Sequence, residues 1–345
     1  MRHRLVLPGL LLLAAAVITS GSNIKKETSA QIVGSPPAGK IYHGVYPGGM
    51  NQPENSIVKT DLEVYQQAVG KKAAWVYVPN NWSVSRSFPL ATADWVRQNG
   101  SIPFIRLMLR SSEQNNVAEP TFTLDRIIGG EFDEDLRAWA RSAKEFKTPL
   151  LAEYGTEVNG KWFPWNGIWN DKAAGPEKFK QAYRHIVQIM REEKADNVLW
   201  VFHVNDRDDP AQAWNRFENY YPGDEWIDWL GLSVYGPQKK TGWNRTPFRK
   251  LMDKAYGRLV KLNPDKPIAL LEFGITDNNW RVNQSAWADK ALKDLVNRRW
   301  PRLIGFAWWN EAWQNGNDPA DITNMRVQDN PALAKVFEKW VGRND

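Results

Sequence analysis

From residue 40 onward, short apolar runs alternate with longer segments whose apolar residues recur every three or four positions. The short runs fall at 41–46, 74–78, 104–109, 149–153, 198–204, 229–235, 268–273 and 304–309. Each has the length and near-continuous hydrophobicity of a strand buried on both faces, as in a parallel sheet. Between them the period becomes helical. Residues 61–69 are the first helical candidate. Asp133 is placed to cap a helix whose inner face carries Leu136, Trp139, Ala140, Ala143 and Phe146. Pro176 starts another, with Phe179, Tyr183, Ile186, Val187 and Met190 on one side. Thr246-Pro247, Ser285 and Asn330-Pro331 open three more. Eight apolar strands, each followed by a helix, predict an α/β protein built as a single (β/α)8 TIM barrel. A doubly wound open sheet is the alternative. It would lack a phosphate loop here, since no GxGxxG follows the first strand and no GxxxxGK[ST] occurs.

The N-terminal pattern differs. Arg2 and Arg4 precede an apolar run over 5–18, and Thr19, Ser20, Gly21 and Ser22 follow it. The run has the length of a signal-peptide core and falls short of the roughly 20 residues that span a bilayer. Residues 1–22 are therefore expected to be a signal peptide. Residues 23–38, polar and closed by Pro36-Pro37, read as a flexible linker, and 39–345 as the catalytic barrel. A secreted or periplasmic protein follows, with no stable membrane insertion once the leader is cut.

Composition narrows the chemistry. The 345 residues contain no cysteine, which excludes a thiol nucleophile, a disulfide framework and an iron–sulfur cluster. Four histidines leave little for a histidine-based metal site, and no cofactor or metal is expected. The net charge of +6 comes without a dense Lys/Arg block, so nucleic acid is not an expected partner. Tryptophan is in surplus, with 19 residues. A core accounts for part of them. Flat indole rings also match the apolar faces of pyranose sugars, which makes a polysaccharide the expected partner of a monomeric barrel.

Barrel chemistry happens at the carboxyl ends of strands. Strand four runs into Tyr154-Gly155-Thr156-Glu157, and strand seven ends at Leu271-Glu272-Phe273-Gly274. A pair of carboxyls about 5–5.5 Å apart suits a retaining glycosidase. One carboxyl protonates the leaving oxygen and the other attacks the anomeric carbon. Aromatic Trp162, Phe163 and Trp165 close behind Glu157 predict an apolar surround, which suits the proton-bearing acid/base, and Trp165 is also a candidate substrate contact. Glu272 then acts as nucleophile, with Tyr235 placed to hydrogen-bond it. His203 and Asn205 follow strand five, and each is weighed as a substrate contact against a plain loop hydrogen bond. Trp280 and Trp313 are candidate stacking platforms, whereas Trp75, Trp95, Trp139 and Trp340 fit core faces. Asp206-Arg207-Asp208-Asp209 reads as a solvated loop in preference to a calcium site.

The segments Glu157-Val158-Asn159-Gly160-Lys161-Trp162-Phe163-Pro164-Trp165, Leu270-Leu271-Glu272-Phe273-Gly274 and Trp229-Leu230-Gly231-Leu232-Ser233-Val234-Tyr235 resemble glycoside hydrolase family 26. So do the opening Tyr42-His43-Gly44-Val45-Tyr46 and the closing Ala307-Trp308-Trp309-Asn310. The resemblance implies a retaining endo-β-glycanase of the barrel glycosidase clan, acting on β-1,4-mannan, mixed-linkage β-glucan or β-1,3-xylan. It implies Glu157 as acid/base, Glu272 as nucleophile, Tyr235 as the nucleophile's partner, and Trp162 and Trp309 as platforms beside the cleaved bond. The chain departs from the family where Thr156 replaces the usual His before the acid/base, and where Glu153-Tyr154-Gly155 replaces Arg-Pro-Leu. Glu153 is thus a third carboxylate near the site, able to act on Glu157 or to pair with Arg106. Hydrolysis of a bacterial exopolysaccharide and a non-catalytic carbohydrate-binding barrel are the alternative readings.

Overall fold

The computed structural model describes residues 33–34, 36–52, 54–242, 246–315 and 321–343. The expected signal peptide and most of the linker lie outside the described residues. Eight parallel strands close on themselves in chain order: β1 (Tyr42–Tyr46), β2 (Trp75–Asn81), β3 (Ile102–Met108), β4 (Leu150–Tyr154), β5 (Val198–Asn205), β6 (Trp229–Tyr235), β7 (Ile268–Gly274) and β8 (Leu303–Trp309). Closure is made by β1 on β8, with Tyr42 opposite Gly305 and Tyr46 opposite Trp309. The eight apolar runs are these strands, and the (β/α)8 barrel is the fold. No helix among the described residues is long and apolar enough to cross a membrane.

The helices are α1 (Lys59–Val69), α2 (Leu90–Gln98), α3 (Leu124–Ile128), α4 (Asp133–Phe146), α5 (Gly175–Glu192), α6 (Phe248–Leu262), α7 (Gln284–Val296) and α8 (Pro331–Phe337). Helix α4 buries the five residues its pattern selects. Asp133 does not cap it, however. Phe132 occupies the cap position, and Asp133 joins Glu134 and Asp135 in the first turn, where negative charge suits the helix dipole. Asn330 caps α8 by accepting from Ala332 and Leu333 N–H groups, with Pro331 at the first position.

One helix went unread and one expected helix is missing. Helix α2 was not legible, because it buries only Ala93 and Val96 and begins after Pro89. No α-helix joins β5 to β6. Three short 3-10 turns, Ala213–Asn215, Phe217–Tyr220 and Asp224–Trp226, make the crossing, through a segment punctuated by Pro210, Pro222 and Gly223. Its first residues, Asp206 and Arg207, line the cleft at the mouth of the barrel.

The amino-terminal end of the barrel is filled by indole. Trp75 is 1% exposed, and a Cβ on Gly44 or Gly305 would fall 2.3 Å or 2.2 Å from its ring. Two glycines on neighbouring strands thus make the space for one tryptophan, which meets Trp229 edge to face at 5.9 Å. This closed end leaves the carboxyl ends of the strands as the accessible face.

Candidate active site

The strand ends surround a cleft of about 740 Å³. Its walls include Glu157, Glu272, Tyr235, Asn205, Trp162, Trp309 and Trp313. Seven of the ten residues picked from the sequence thus meet in one cavity.

Glu272 is aimed by a defect in the sheet. Leu232 of β6 faces Leu270 of β7, but the next residue, Ser233, faces Glu272. The shift skips Leu271, and such bulges re-aim side chains at barrel rims. Glu272 Oε2 accepts a hydrogen bond from the Tyr235 hydroxyl at 2.9 Å. Oε1 lies 3.4 Å from Arg106 Nη2 and has no hydrogen-bond partner. Burial pushes the Glu272 carboxyl up to about 7, against the opposing pull of Arg106.

Glu157 sits just past β4 in a left-handed backbone conformation, φ 47°. Non-glycine residues adopt it rarely, and it marks sites where the surroundings override local preference. Here the surroundings are a tight turn, with Gly160 N–H bonded to Glu157 O at 2.7 Å, and Val158 N–H bonded to His203 O at 3.3 Å. Both carboxylate oxygens accept hydrogen bonds, one from Asn205 Nδ2 and one from Trp162 Nε1, each at 2.7 Å. The bare apolar surround expected from the sequence is therefore absent, because the nearest aromatic ring presents its N–H. Asn159, fully buried, locks this arrangement. Its amide donates to Asn205 O, Arg207 O and Asp208 Oδ1, and its Oδ1 accepts from Asn205 N–H.

Three sequence candidates do not face the cleft. Trp165 is 2% exposed, stacks on Phe163 at 4.8 Å and donates its N–H to Thr156 O, so it supports the loop from beneath. His203 is wholly buried under the floor and offers no surface to a substrate. Trp280 is 58% exposed but stands outside the cleft wall, with the Arg281 guanidinium 3.7 Å from its ring centroid. The aspartate run is divided among different partners. Asp206 lines the cleft, Asp208 pairs with Arg258 at 2.9 Å, and Asp209 pairs with Lys161 at 3.3 Å.

Four further residues belong to the site, and the sequence offered only Arg106 among them, as a partner for Glu153, which it is. Arg106 bonds Glu153 at 3.2 Å and pairs with Glu54, which reaches in from the loop after β1. Its signal was a lone arginine inside an apolar strand run; Glu54 carried no signal. Glu311 accepts from Trp309 Nε1 at 2.8 Å, while the Trp309 ring stacks on Tyr46 at 4.0 Å. Ser233 was visible only as part of a strand. Glu153, His203 and Glu272 have ligand-type atoms within 4.8 Å of one another. Both His203 nitrogens are already engaged, Nδ1 by Glu153 and Thr156 and Nε2 by Ser233, and Arg106 reaches both carboxylates. A metal ion there would have to displace that cation.

Comparison with known proteins agrees with this fold. The chain is 27% identical over 293 residues to endoglucanase H of Acetivibrio thermocellus, covering 84% of this chain and 29% of that protein. It is 25% identical over 205 residues to a β-1,3-xylanase from a Vibrio species, covering 56% and 42%. A mannan endo-1,4-β-mannosidase of Bacillus subtilis is 26% identical over 234 residues, covering 63% and 58%. The chain thus spans less than half the length of the first two relatives. A GH26 β-mannanase structure from Bacteroides ovatus superposes with a TM-score of 0.63 at 18% identity, covering 88% of this chain and 89% of that one. The sequence profile of glycosyl hydrolase family 26 matches residues 115–289, half of the chain and the half that carries both glutamates. With this match and two carboxylates in one barrel mouth, the chain belongs to glycosyl hydrolase family 26.

Proposed function

We propose that the protein is a retaining endo-β-glycanase that hydrolyses a neutral β-linked polysaccharide of mannan or glucan type. The observation that carries this reading is the pair of glutamates in one cleft, each held by different donors. Glu272 keeps one oxygen tied to Tyr235 and the other without a hydrogen bond. That Oε1, beside the Arg106 guanidinium, attacks the anomeric carbon and forms a glycosyl ester as the bond to the leaving oxygen breaks. Glu157 delivers its proton to the leaving oxygen. It then takes a proton from water, which displaces Glu272 and restores both residues. Trp162, Trp309 and Trp313 offer ring faces and edges to the sugars along the wall.

Charge favours a neutral polymer. Glu54, Glu113, Glu157, Asp206, Glu272 and Glu311 line the cleft against Arg106, Arg207 and Lys239. A uronate-bearing chain would find no surplus of positive charge there, since Arg106 is already engaged by Glu54 and Glu153. The test is release of reducing ends from mannan, glucomannan, mixed-linkage glucan, β-1,3-xylan and acidic exopolysaccharides. Glu272→Ala and Glu157→Ala serve as controls. Hydrolysis of a neutral polymer that both controls lack supports the proposal. Retention of the polymers without cleavage would favour a binding barrel.

The leader reading of residues 1–22 places this activity outside the cytoplasm. N-terminal sequencing of exported protein checks it, and a mature chain still starting at Met1 would refute it.

A further inference from the structure

Below the two glutamates the barrel holds a second polar cluster. Glu153 from β4 is 1% exposed and His203 from β5 is wholly buried. Glu153 Oε2 lies 2.6 Å from His203 Nδ1, and Oε1 accepts from Arg106 Nε at 3.2 Å. His203 Nε2 lies 2.7 Å from Ser233 Oγ, and Ser233 is the register partner of Glu272. The Thr156 hydroxyl, 2.8 Å from Nδ1, closes the group.

Charge counting makes this cluster informative. Arg106 touches three carboxylates, Glu54, Glu153 and Glu272, and the last two are buried. One guanidinium does not neutralise two buried carboxylates, and an unpaired buried charge is costly. Arg110, 3.6 Å from Glu54, shares that carboxylate, and the only other basic group in contact with the buried pair, among the described residues, is His203. The titratable groups facing it are Glu153 and Glu157 from the β4 side, Glu272 from β7 and Arg106 from β3, with Tyr77 of β2 facing Arg106 and Glu153. Three of these are carboxylates.

We propose that His203 is held as an imidazolium that cancels the charge of Glu153, so that the Arg106 guanidinium is left to stabilise the ionised Glu272. His203 and Glu153 are then positioning residues acting through Arg106, and neither touches substrate. Nδ1–H donates to Glu153 and Nε2–H to Ser233. The direction of titration agrees: the neighbouring carboxylates outweigh burial and raise His203, while His203 and Arg106 hold Glu153 below the usual carboxylate range despite its burial. This inference rests on the reading of Glu272 as nucleophile.

Two measurements test it. The chain has four histidines, His3, His43, His185 and His203, so imidazole 15N NMR of the purified protein resolves them. Both nitrogens of His203 are expected to be protonated at neutral pH, and one should lose its proton in Glu153→Gln. A neutral His203 in the wild type overturns the proposal without any reference to catalysis. The second measurement is the acid limb of kcat/KM against pH on the polymer that the panel identifies. His203→Gln leaves Glu153 uncancelled beside Arg106. Its acid limb should move up by about one pH unit, a roughly tenfold loss near pH 6 that largely disappears at higher pH. The double variant Glu153→Gln/His203→Gln removes both charges and should return the limb to its wild-type position. Residues that merely pack the floor would lower kcat in single and double variants alike, with no displaced limb and no rescue. If His203→Gln fails to fold, the NMR result and the double variant decide. Hydrolysis that persists in Glu272→Ala would instead bring down the nucleophile assignment, leaving the NMR arm to judge the pair.

Discussion

Trp162 combines two functions that the sequence presents as one. Its ring lines the cleft, and its N–H holds Glu157 Oε2 at 2.7 Å. Trp162→Phe keeps most of the ring and removes the donor. A hydrogen bond to a charged group contributes about 1.5–3 kcal/mol. The variant should therefore lose about ten- to a hundredfold in kcat/KM while polymer retention changes little. An equal loss of retention would mean that the ring, and not the N–H, is what matters. Glu272 makes a prediction on pH. Burial pushes it up to about 7, and a nucleophile reacts ionised. The acid limb of kcat/KM reports the free enzyme's base. Activity should fall about tenfold for each pH unit below that value, and a limb near the ordinary carboxylate range of about 4 would contradict the assignment.

At the scale of elements, the exit from β4 is the demanding piece of backbone. Gly155 has φ 74° and Glu157 has φ 47°, two left-handed residues within one turn. A Cβ on Gly155 would lie 2.3 Å from the Phe179 ring of α5. Gly155→Ala therefore meets both backbone strain and overpacking, each about 1–3 kcal/mol. A clear drop in melting temperature should follow, and an unchanged one would mean that α5 gives way easily. The sequence showed this exit as a motif but could not show its conformation. The strands were legible because burial on both faces leaves an uninterrupted apolar run. Helix α2 was not, because its buried stripe is two small or medium residues. The bulge in β7 leaves no mark on the run Leu270-Leu271-Glu272, yet it decides where Glu272 points. Direction also explains the three misplaced residues. Trp165, His203 and Trp280 are near the site along the chain. The first two are drawn inward by partners for their N–H groups, and the third falls outside the wall. Arg106 and Glu54 come together from different loops and strands, a pairing that no local pattern contains.

For the whole molecule, the acidic cleft links function to stability. Burial pushes Glu272 up to about 7 and, with the Glu54 charge beside it, pushes Glu311 up to about 8. Both values lie above the unfolded value of about 4.3. A raised carboxyl binds its proton more tightly in the folded state. Its contribution to stability is therefore complete below the unfolded value and is lost as pH rises through the folded one. The protein should lose stability on the way from about pH 5 to pH 9, by about 1.4 kcal/mol for every tenfold difference in proton affinity between the folded and unfolded carboxyl. Glu218 works in the other direction. Its bonds to Arg258 and Arg216 hold it at about 2, so its contribution is present above the unfolded value and lost only in acid. Glu311→Gln separates the two effects. The amide oxygen can still accept from Trp309 Nε1, so the platform keeps its anchor while the buried charge disappears. The variant should melt above the wild type at about pH 9, by about 2 °C for each kcal/mol relieved. That advantage should shrink toward about pH 5, where Glu311 is protonated in the folded wild type and most of its charge penalty is gone. An advantage of the same size at both ends of the range would assign the gain to packing. A loss at high pH would mean that the Glu311 charge is held by a partner in the folded cleft, and the account of an uncompensated acidic mouth would fall.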